Sequence, residues 1–92
     1  MITLEQRTYN EINLEIAKRV VSLRKRKKIS QSELAKKSGV SFGSVKRFEQ
    51  TGEISLSSLT KIAIALDAEN GLDSLFEDVE FESIEEIMHG QY

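Results

Sequence analysis

The sequence predicts an all-α domain of five helices with a short acidic C-terminal tail helix. Apolar residues recur at intervals of three and four along most of the 92 residues, as on one face of a helix. Strand-like alternation of apolar and polar residues extends no further than the four residues 79–82. Helix-capping residues follow short breaks several times, and proline is absent. We therefore expect one helical domain over residues 1–76 and an acidic, apolar tail over residues 77–92.

The first helix is predicted over about residues 8–27. Its last turn, residues 24–27, consists of cations, which stabilise the C-terminal end of a helix. Its apolar stripe has helical spacing and consists of Ile12, Ile16, Val20 and Leu23.

The second helix has a clear start and a clear end. Ser30 and Glu33 form a capping box, and Ile29 and Leu34 have the positions of a hydrophobic staple. Gly39 stands where a left-handed residue would end this helix.

A third helix is predicted over about residues 42–50, because Ser41 is a new cap and Gly52 follows the last apolar position. Two short helices joined by so tight a glycine-containing turn have the helix-turn-helix arrangement, here over residues 31–50. Small Ala35 allows the two helices to pass closely. The residues expected to point inward are Leu34, Val40, Val45 and Phe48.

The remaining segments are shorter. Ser55 caps a fourth helix, and Asn70-Gly71 is interpreted as a break. Ser83 and Glu86 form a capping box for a tail helix over residues 84–88. The fourth helix has Leu59, Ile62, Ala63 and Leu66 on one face, and the fifth contains Leu72, Leu75 and Phe76.

The charge is divided along the chain. The net charge is −2, but residues 18–47 contain eleven cations and one acid, a net +10. Residues 48–92 contain eleven acids and one lysine, a net −10. Such asymmetry indicates an electrostatic partner, with the basic segment meeting phosphate and the acidic segment facing away from it.

Other classes of protein fit the sequence poorly. It has no apolar run near 18 residues and no signal-peptide pattern at its start, so we expect no membrane partner. The absence of cysteine is compatible with a cytoplasmic protein. His89 is the one histidine, so neither a metal site nor a cofactor is expected. No nucleophile-base set or phosphate-binding glycine loop is present, which argues against an enzyme.

Several segments resemble the phage-repressor (Xre/Cro-type) helix-turn-helix DNA-binding family. They are the stretch from Ile29 to Ser41, Arg47-Phe48-Glu49, and the capped start from Ser55 to Leu59. The resemblance covers about residues 12–76. It implies a five-helix repressor-type domain whose third helix reads double-stranded DNA in the major groove, in a bacterial or phage-encoded regulator.

The resemblance also implies residue roles. Gln31 would hold a phosphate and brace the third helix, and Arg24 and Glu49 would bridge the first helix to the third. Gln50 and Thr51 would lie where the following loop meets the DNA backbone. The residues implied to face the bases are Ser41, Phe42, Gly43, Ser44, Lys46 and Arg47.

Residue chemistry adds to these roles. Arg47 can pair with guanine through two hydrogen bonds, Lys46 can reach guanine or phosphate, and Phe42 suits a thymine methyl group. Gly43 leaves room for a close approach to the bases. Lys27 and Lys28 have two open interpretations, a solvated helix end or phosphate contacts beside the groove.

Three functions remain open at the level of sequence. The first is a transcriptional regulator, a repressor binding a palindromic site as a homodimer. The second is an antitoxin that binds a partner kinase toxin and represses its own promoter, because residues 52–56 and the tail are similar to such regulators. The third is a helix-turn-helix fold used only for protein contacts. The candidate dimer surfaces are residues 68–76 and the apolar residues of the tail.

Overall fold

The computed structural model describes residues 6–77, which contain five helices. They are α1 (Tyr9–Arg26), α2 (Gln31–Ser38), α3 (Phe42–Thr51), α4 (Leu56–Ala65) and α5 (Asn70–Asp73). Helices α1 and α3 pack together, and α2 packs on both α3 and α4. The predicted all-α class is therefore confirmed, whereas the predicted tail helix lies outside the described residues.

The helix starts follow from short polar side chains. The Ser30 hydroxyl accepts a hydrogen bond from the Glu33 amide (3.0 Å), and the Glu33 carboxylate accepts one from the Ser30 amide (2.9 Å). Thr8 and Glu11 form a second capping box at α1. These reciprocal bonds satisfy amides that the first turn of a helix leaves without partners.

Two helices end at a left-handed residue that is not glycine. Lys28 (φ +58°) follows α1 and Asp67 (φ +56°) follows α4, both in the left-handed conformation. The Ala68 amide donates to the Ala63 carbonyl (2.8 Å) and the Asp67 amide to the Ile64 carbonyl (3.0 Å), the bonding pattern of a Schellman motif.

This motif corrects the predicted break at Asn70-Gly71. The chain leaves α4 at Asp67, and Asn70 and Gly71 are the first two residues of α5. The predicted fifth helix is misplaced as well, since Leu75 and Phe76 lie beyond its last residue, Asp73. Aspartate tolerates the left-handed conformation, so a Schellman end does not require glycine.

A second correction concerns the end of α3. Thr51 was expected in the loop but is the last residue of the helix, and Gly52 (φ +79°) follows as the left-handed cap. The Thr51 hydroxyl donates to the Arg47 carbonyl (2.7 Å) one turn earlier. This bond keeps the last turn closed and moves the loop start to Gly52.

The core lies where α1, α2, α3 and α4 meet. Leu34, Val40, Val45 and Phe48 are confirmed as core residues. The remaining members are Ala17, Ile62 and Leu66. The predicted stripe of α1 is corrected, because Ile16, Val20 and Leu23 are only partly buried and Ile12 is 39% exposed. Within residues 6–77, none of the helices is both long and apolar enough to cross a membrane.

Candidate nucleic-acid interface

Helix α3 has one buried and one exposed face. Val45 and Phe48 are at most 1% exposed and anchor the helix in the core. The opposite face is in contact with solvent along its whole length. Its exposed residues are Phe42, Gly43, Ser44, Lys46, Arg47, Gln50 and Thr51, preceded by Ser41 at the cap.

The turn before α3 fixes its direction. Gly39 takes a left-handed conformation (φ +76°), which closes α2 through a bond from its amide to the Ala35 carbonyl (2.9 Å). Val40 is buried and Ser41 caps α3, accepting from the Ser44 amide (3.1 Å). Because a single buried residue connects the glycine to the cap, the two helices have little freedom to change their angle.

Glu49, in the last turns of α3, joins three parts of the fold. Its carboxylate accepts from Arg24 Nε (2.7 Å) and Nη2 (2.9 Å), a two-pronged ion pair with both side chains less than a tenth exposed. Gln31 Nε2 donates to the same carboxylate (2.8 Å). The third arm of Arg24, Nη1, donates to the Ile29 carbonyl (2.9 Å). Helices α1, α2 and α3 therefore share one hydrogen-bonded junction.

At the start of α3, Phe42 and Lys46 are one turn apart and interact. The Lys46 ammonium lies 5.3 Å from the centre of the Phe42 ring, within the range of a cation–π contact. Phe42 is 47% exposed, so the ring and the ammonium form one half-open surface. An apolar group and a cation are thus presented side by side.

Arg47 is held at its side chain and at its backbone. Its guanidinium forms an ion pair with Glu53, in the loop after α3. The Glu53 amide donates to the Thr51 hydroxyl (3.1 Å), which in turn donates to the Arg47 carbonyl (2.7 Å). Together these contacts connect Arg47, Thr51 and Glu53. They lie beside a polar cavity of about 360 Å³ between α3 and the start of α4. The ion pair involves Arg47 Nη2, so Nε and Nη1 are not engaged by Glu53.

Sequence reasoning did not assign a role to Glu53 at this site. The available signal was an acid two residues after the end of α3. Opposite charges at positions 47 and 53 do not reveal a contact by themselves, because the contact depends on how the loop turns at Gly52.

Lys27 and Lys28 lie at the end of α1. Lys27 caps the helix, and its ammonium is 4.0 Å from the Asp67 carboxylate at the end of α4. Lys28 takes the left-handed conformation that closes α1, and both side chains are exposed. The structure therefore gives both lysines a place in helix termination and leaves their ammonium groups accessible to solvent.

The acids of the capping boxes remain ionised to a lower pH than usual. Hydrogen bonds from the Ser30 amide and hydroxyl lower the pKa of Glu33, and those from Thr8 lower the pKa of Glu11. Within residues 6–77, no group of three or more His, Asp or Glu side chains is arranged to hold a metal ion. His89 lies outside the described part of the chain.

The family model described as helix-turn-helix matches residues 20–69, more than half of the chain. No curated protein and no solved structure matched the sequence in the corresponding comparisons. The matched segment runs from the middle of α1 to the turn before α5 and includes the exposed face of α3. The chain therefore belongs to the helix-turn-helix family of the phage-repressor (Xre/Cro) type, a family of DNA-binding transcription regulators.

Proposed function

We propose that the protein is a sequence-specific repressor that places α3 in the major groove of double-stranded DNA. The observation that carries the proposal is the exposed face of α3, which presents Lys46 and Arg47 from a helix anchored by buried Val45 and Phe48. An α-helix fits the major groove, where each base pair presents a distinct pattern of donors and acceptors.

Each exposed residue of α3 has a role that suits its chemistry. Arg47 pairs with guanine through guanidinium nitrogens that Glu53 does not engage. Phe42 contacts a thymine methyl group, and Lys46, held beside its ring, reaches a neighbouring guanine or phosphate. Gly43 has no atom within 4 Å of where a side chain would begin, so the backbone there can approach the bases.

Phosphate contacts flank the reading face. Gln31 uses one amide hydrogen on Glu49 and keeps the other for a phosphate oxygen at the start of α2. Lys27 and Lys28 provide cations at the end of α1, and Gln50 and Thr51 provide polar groups at the end of α3. The hydroxyls of Ser41 and Ser44, 2.8 Å apart, complete the polar edge at the other end of the helix.

The small size of the domain favours binding as a homodimer. One short recognition helix covers only a few base pairs, and two copies on a palindromic site increase both affinity and specificity. The half-sites would be about one helical turn (~34 Å) apart. The basic segment 18–47 would then face phosphate, and the acidic segment 48–92 would face away from DNA.

The experiment is selection of bound sites from random duplex DNA at two salt concentrations. A palindromic consensus supports base reading and dimer symmetry, and the salt slope counts the phosphates neutralised. Arg47→Ala should then cost about 1–3 kcal/mol of binding free energy at one base position. Lys46→Ala should weaken binding to all sequences or reduce the base preference at a second position. Lys61→Ala is the matched control, because it removes an exposed cation from α4. An unchanged affinity for both α3 variants would reject α3 as the reader.

An antitoxin is the second candidate. Ile64, Leu75 and Phe76 are more than half exposed near the end of the described chain, and exposed apolar residues of this kind suit a protein partner. A stable complex with the product of a neighbouring kinase-like gene during gel filtration would favour this function. If the chain selects no DNA sequence at all, a fold used only for protein contacts would be favoured instead.

A further inference from the structure

A groove between α1, α4 and α5 is lined almost entirely by apolar side chains. It encloses about 240 Å³ and lies on the side of α1 that carries Ile16, Val20 and Leu23. The other walls include Leu59 and Ile62 of α4 and Leu72 and Leu75 near α5, and Arg19 is the charged residue at its edge. Leu75, in the wall of this groove, is 52% exposed. Such a continuous apolar concavity is a binding surface.

We propose that the groove is covered by the same chain's C-terminal segment, residues 78–92. Five of these residues are acidic and none is Lys or Arg, and apolar residues are interspersed among them. Ile84, Ile87 and Met88 have the spacing of one helical face. A short amphipathic helix that places this face in the groove would leave its acids at the edge.

A helix over residues 84–88 is short enough to lie within the groove. The α1 wall from Ile16 to Leu23 rises about 10 Å at 1.5 Å per residue, and a helix over residues 84–88 rises about 6 Å. The seven residue-to-residue steps from Glu77 to Ile84 can span up to ~23 Å. Because Leu75 itself lines the groove, the segment starts beside its binding surface and can reach any part of it.

The charges are also complementary. Arg19 lines the groove and forms an exposed ion pair with Glu15 (3.9 Å), and Arg26 lies two helical turns further along the same face of α1. An acidic segment placed along this edge would meet both cations, whereas a basic partner would be repelled by them. The docking does not depend on DNA binding.

The tether favours docking within one chain over docking on a second copy. A segment tethered close to its binding surface in the same chain has an effective concentration in the millimolar range, far above ordinary protein concentrations. The C-terminal segment of a second copy would have to displace the chain's own segment from the groove. The geometry therefore points to an internal contact, with exchange between two copies as the competing outcome.

Disulfide trapping in the full-length chain tests this inference, because the protein contains no cysteine of its own. Ala68 is small and lines the groove, so the pair Ala68→Cys with Met88→Cys should form an intramolecular disulfide under mild oxidation. The matched control is Asp73→Cys with Met88→Cys, because Asp73 is exposed, is not among the lining residues and is nearer to the tail in sequence than Ala68. We expect the groove pair to oxidise at least several-fold faster, giving a faster-migrating monomer on a non-reducing gel.

Two results would overturn the inference. Equal oxidation rates for the groove pair and the control pair would mean that residues 78–92 do not dock in the groove. A disulfide-linked dimer would mean that the segment crosses to a second copy.

Thermal unfolding gives an independent readout. Ile87→Ser in the full-length chain should lower Tm by about 5 °C and raise the fluorescence of an apolar dye, because the groove becomes exposed. Glu85→Ser, on the other face of the same segment, should leave both nearly unchanged. If the two variants behave alike, the apolar face of the segment is not buried in the groove.

Discussion

The Glu49 carboxylate accepts two hydrogen bonds from the Arg24 guanidinium, at 2.7 and 2.9 Å, with both side chains nearly buried. Removing one partner of such a pair leaves an uncompensated buried charge, which costs about 3–5 kcal/mol. We therefore expect Glu49→Ala to reduce the free energy of unfolding by about that amount in urea denaturation. Glu53→Ala is the control, because its ion pair with Arg47 is exposed and such pairs contribute at most ~1 kcal/mol. A similar small loss for both variants would contradict a structural role for the Arg24–Glu49 pair.

Two left-handed glycines should respond differently to substitution by alanine. Gly39 and Gly52 have nearly the same φ, +76° and +79°, so alanine costs each about 1–2 kcal/mol of backbone strain. A Cβ on Gly39 would have no atom within 4 Å, whereas one on Gly52 would lie 2.8 Å from the backbone of Asn13 in α1. We expect Gly52→Ala to lower the free energy of unfolding by about 1–3 kcal/mol more than Gly39→Ala does. Equal losses would show that α1 and the end of α3 are not in close contact there.

The capping box of α2 should make stability depend on pH. The pKa of Glu33 is lowered in the folded state by hydrogen bonds from Ser30, so the unfolded state binds a proton more readily. The stabilisation is therefore present above the ordinary pKa of 4.5 and is lost as pH falls through the lower folded value. We expect the difference in Tm between the wild type and Glu33→Gln to shrink as the pH is lowered from 7 towards 3. A difference that stays constant over this range would show that the ionised carboxylate does not stabilise the cap.

Glu53 should restrain DNA binding. In the free protein its carboxylate is paired with Arg47 and lies beside the proposed reading face. Neutralising it releases the guanidinium and removes a like charge from the neighbourhood of phosphate. We expect Glu53→Gln to tighten DNA binding by up to about five-fold, because an exposed ion pair is worth ~0.2–1 kcal/mol. Glu69→Gln makes the same charge change beside α5 and should have a smaller effect. Fluorescence anisotropy at one salt concentration makes the comparison, and equal effects would assign the gain to net charge alone.

The helices were predictable because their signals are local. Caps at Ser30, Ser41 and Ser55 and the glycine at position 39 each act within a few residues, and apolar spacing identifies the buried faces. The correction at Asp67 shows the limit of this reasoning. Asp67 takes the left-handed conformation, and α4 ends there through backbone hydrogen bonds to carbonyls of its last turn. In the sequence, this aspartate looks like an ordinary surface acid.

The candidate site was less predictable than the fold. The residues that α3 exposes follow from its periodicity, but the pairing of Arg47 with Glu53 depends on the path of the loop after Gly52. The contact between Phe42 and Lys46 is different, since residues four apart on a helix are neighbours and the interaction is visible in the sequence once the helix is placed.

The junction at Glu49 has a consequence for the thermodynamics of recognition. Since a single carboxylate of α3 binds side chains of α1 and α2, the proposed reading helix is already oriented in the free protein. In the proposed complex, binding would require the ordering of surface side chains such as Arg47 and Lys46, but not of the scaffold that carries them. The entropic cost of binding is correspondingly small, so a larger share of each base contact contributes to affinity.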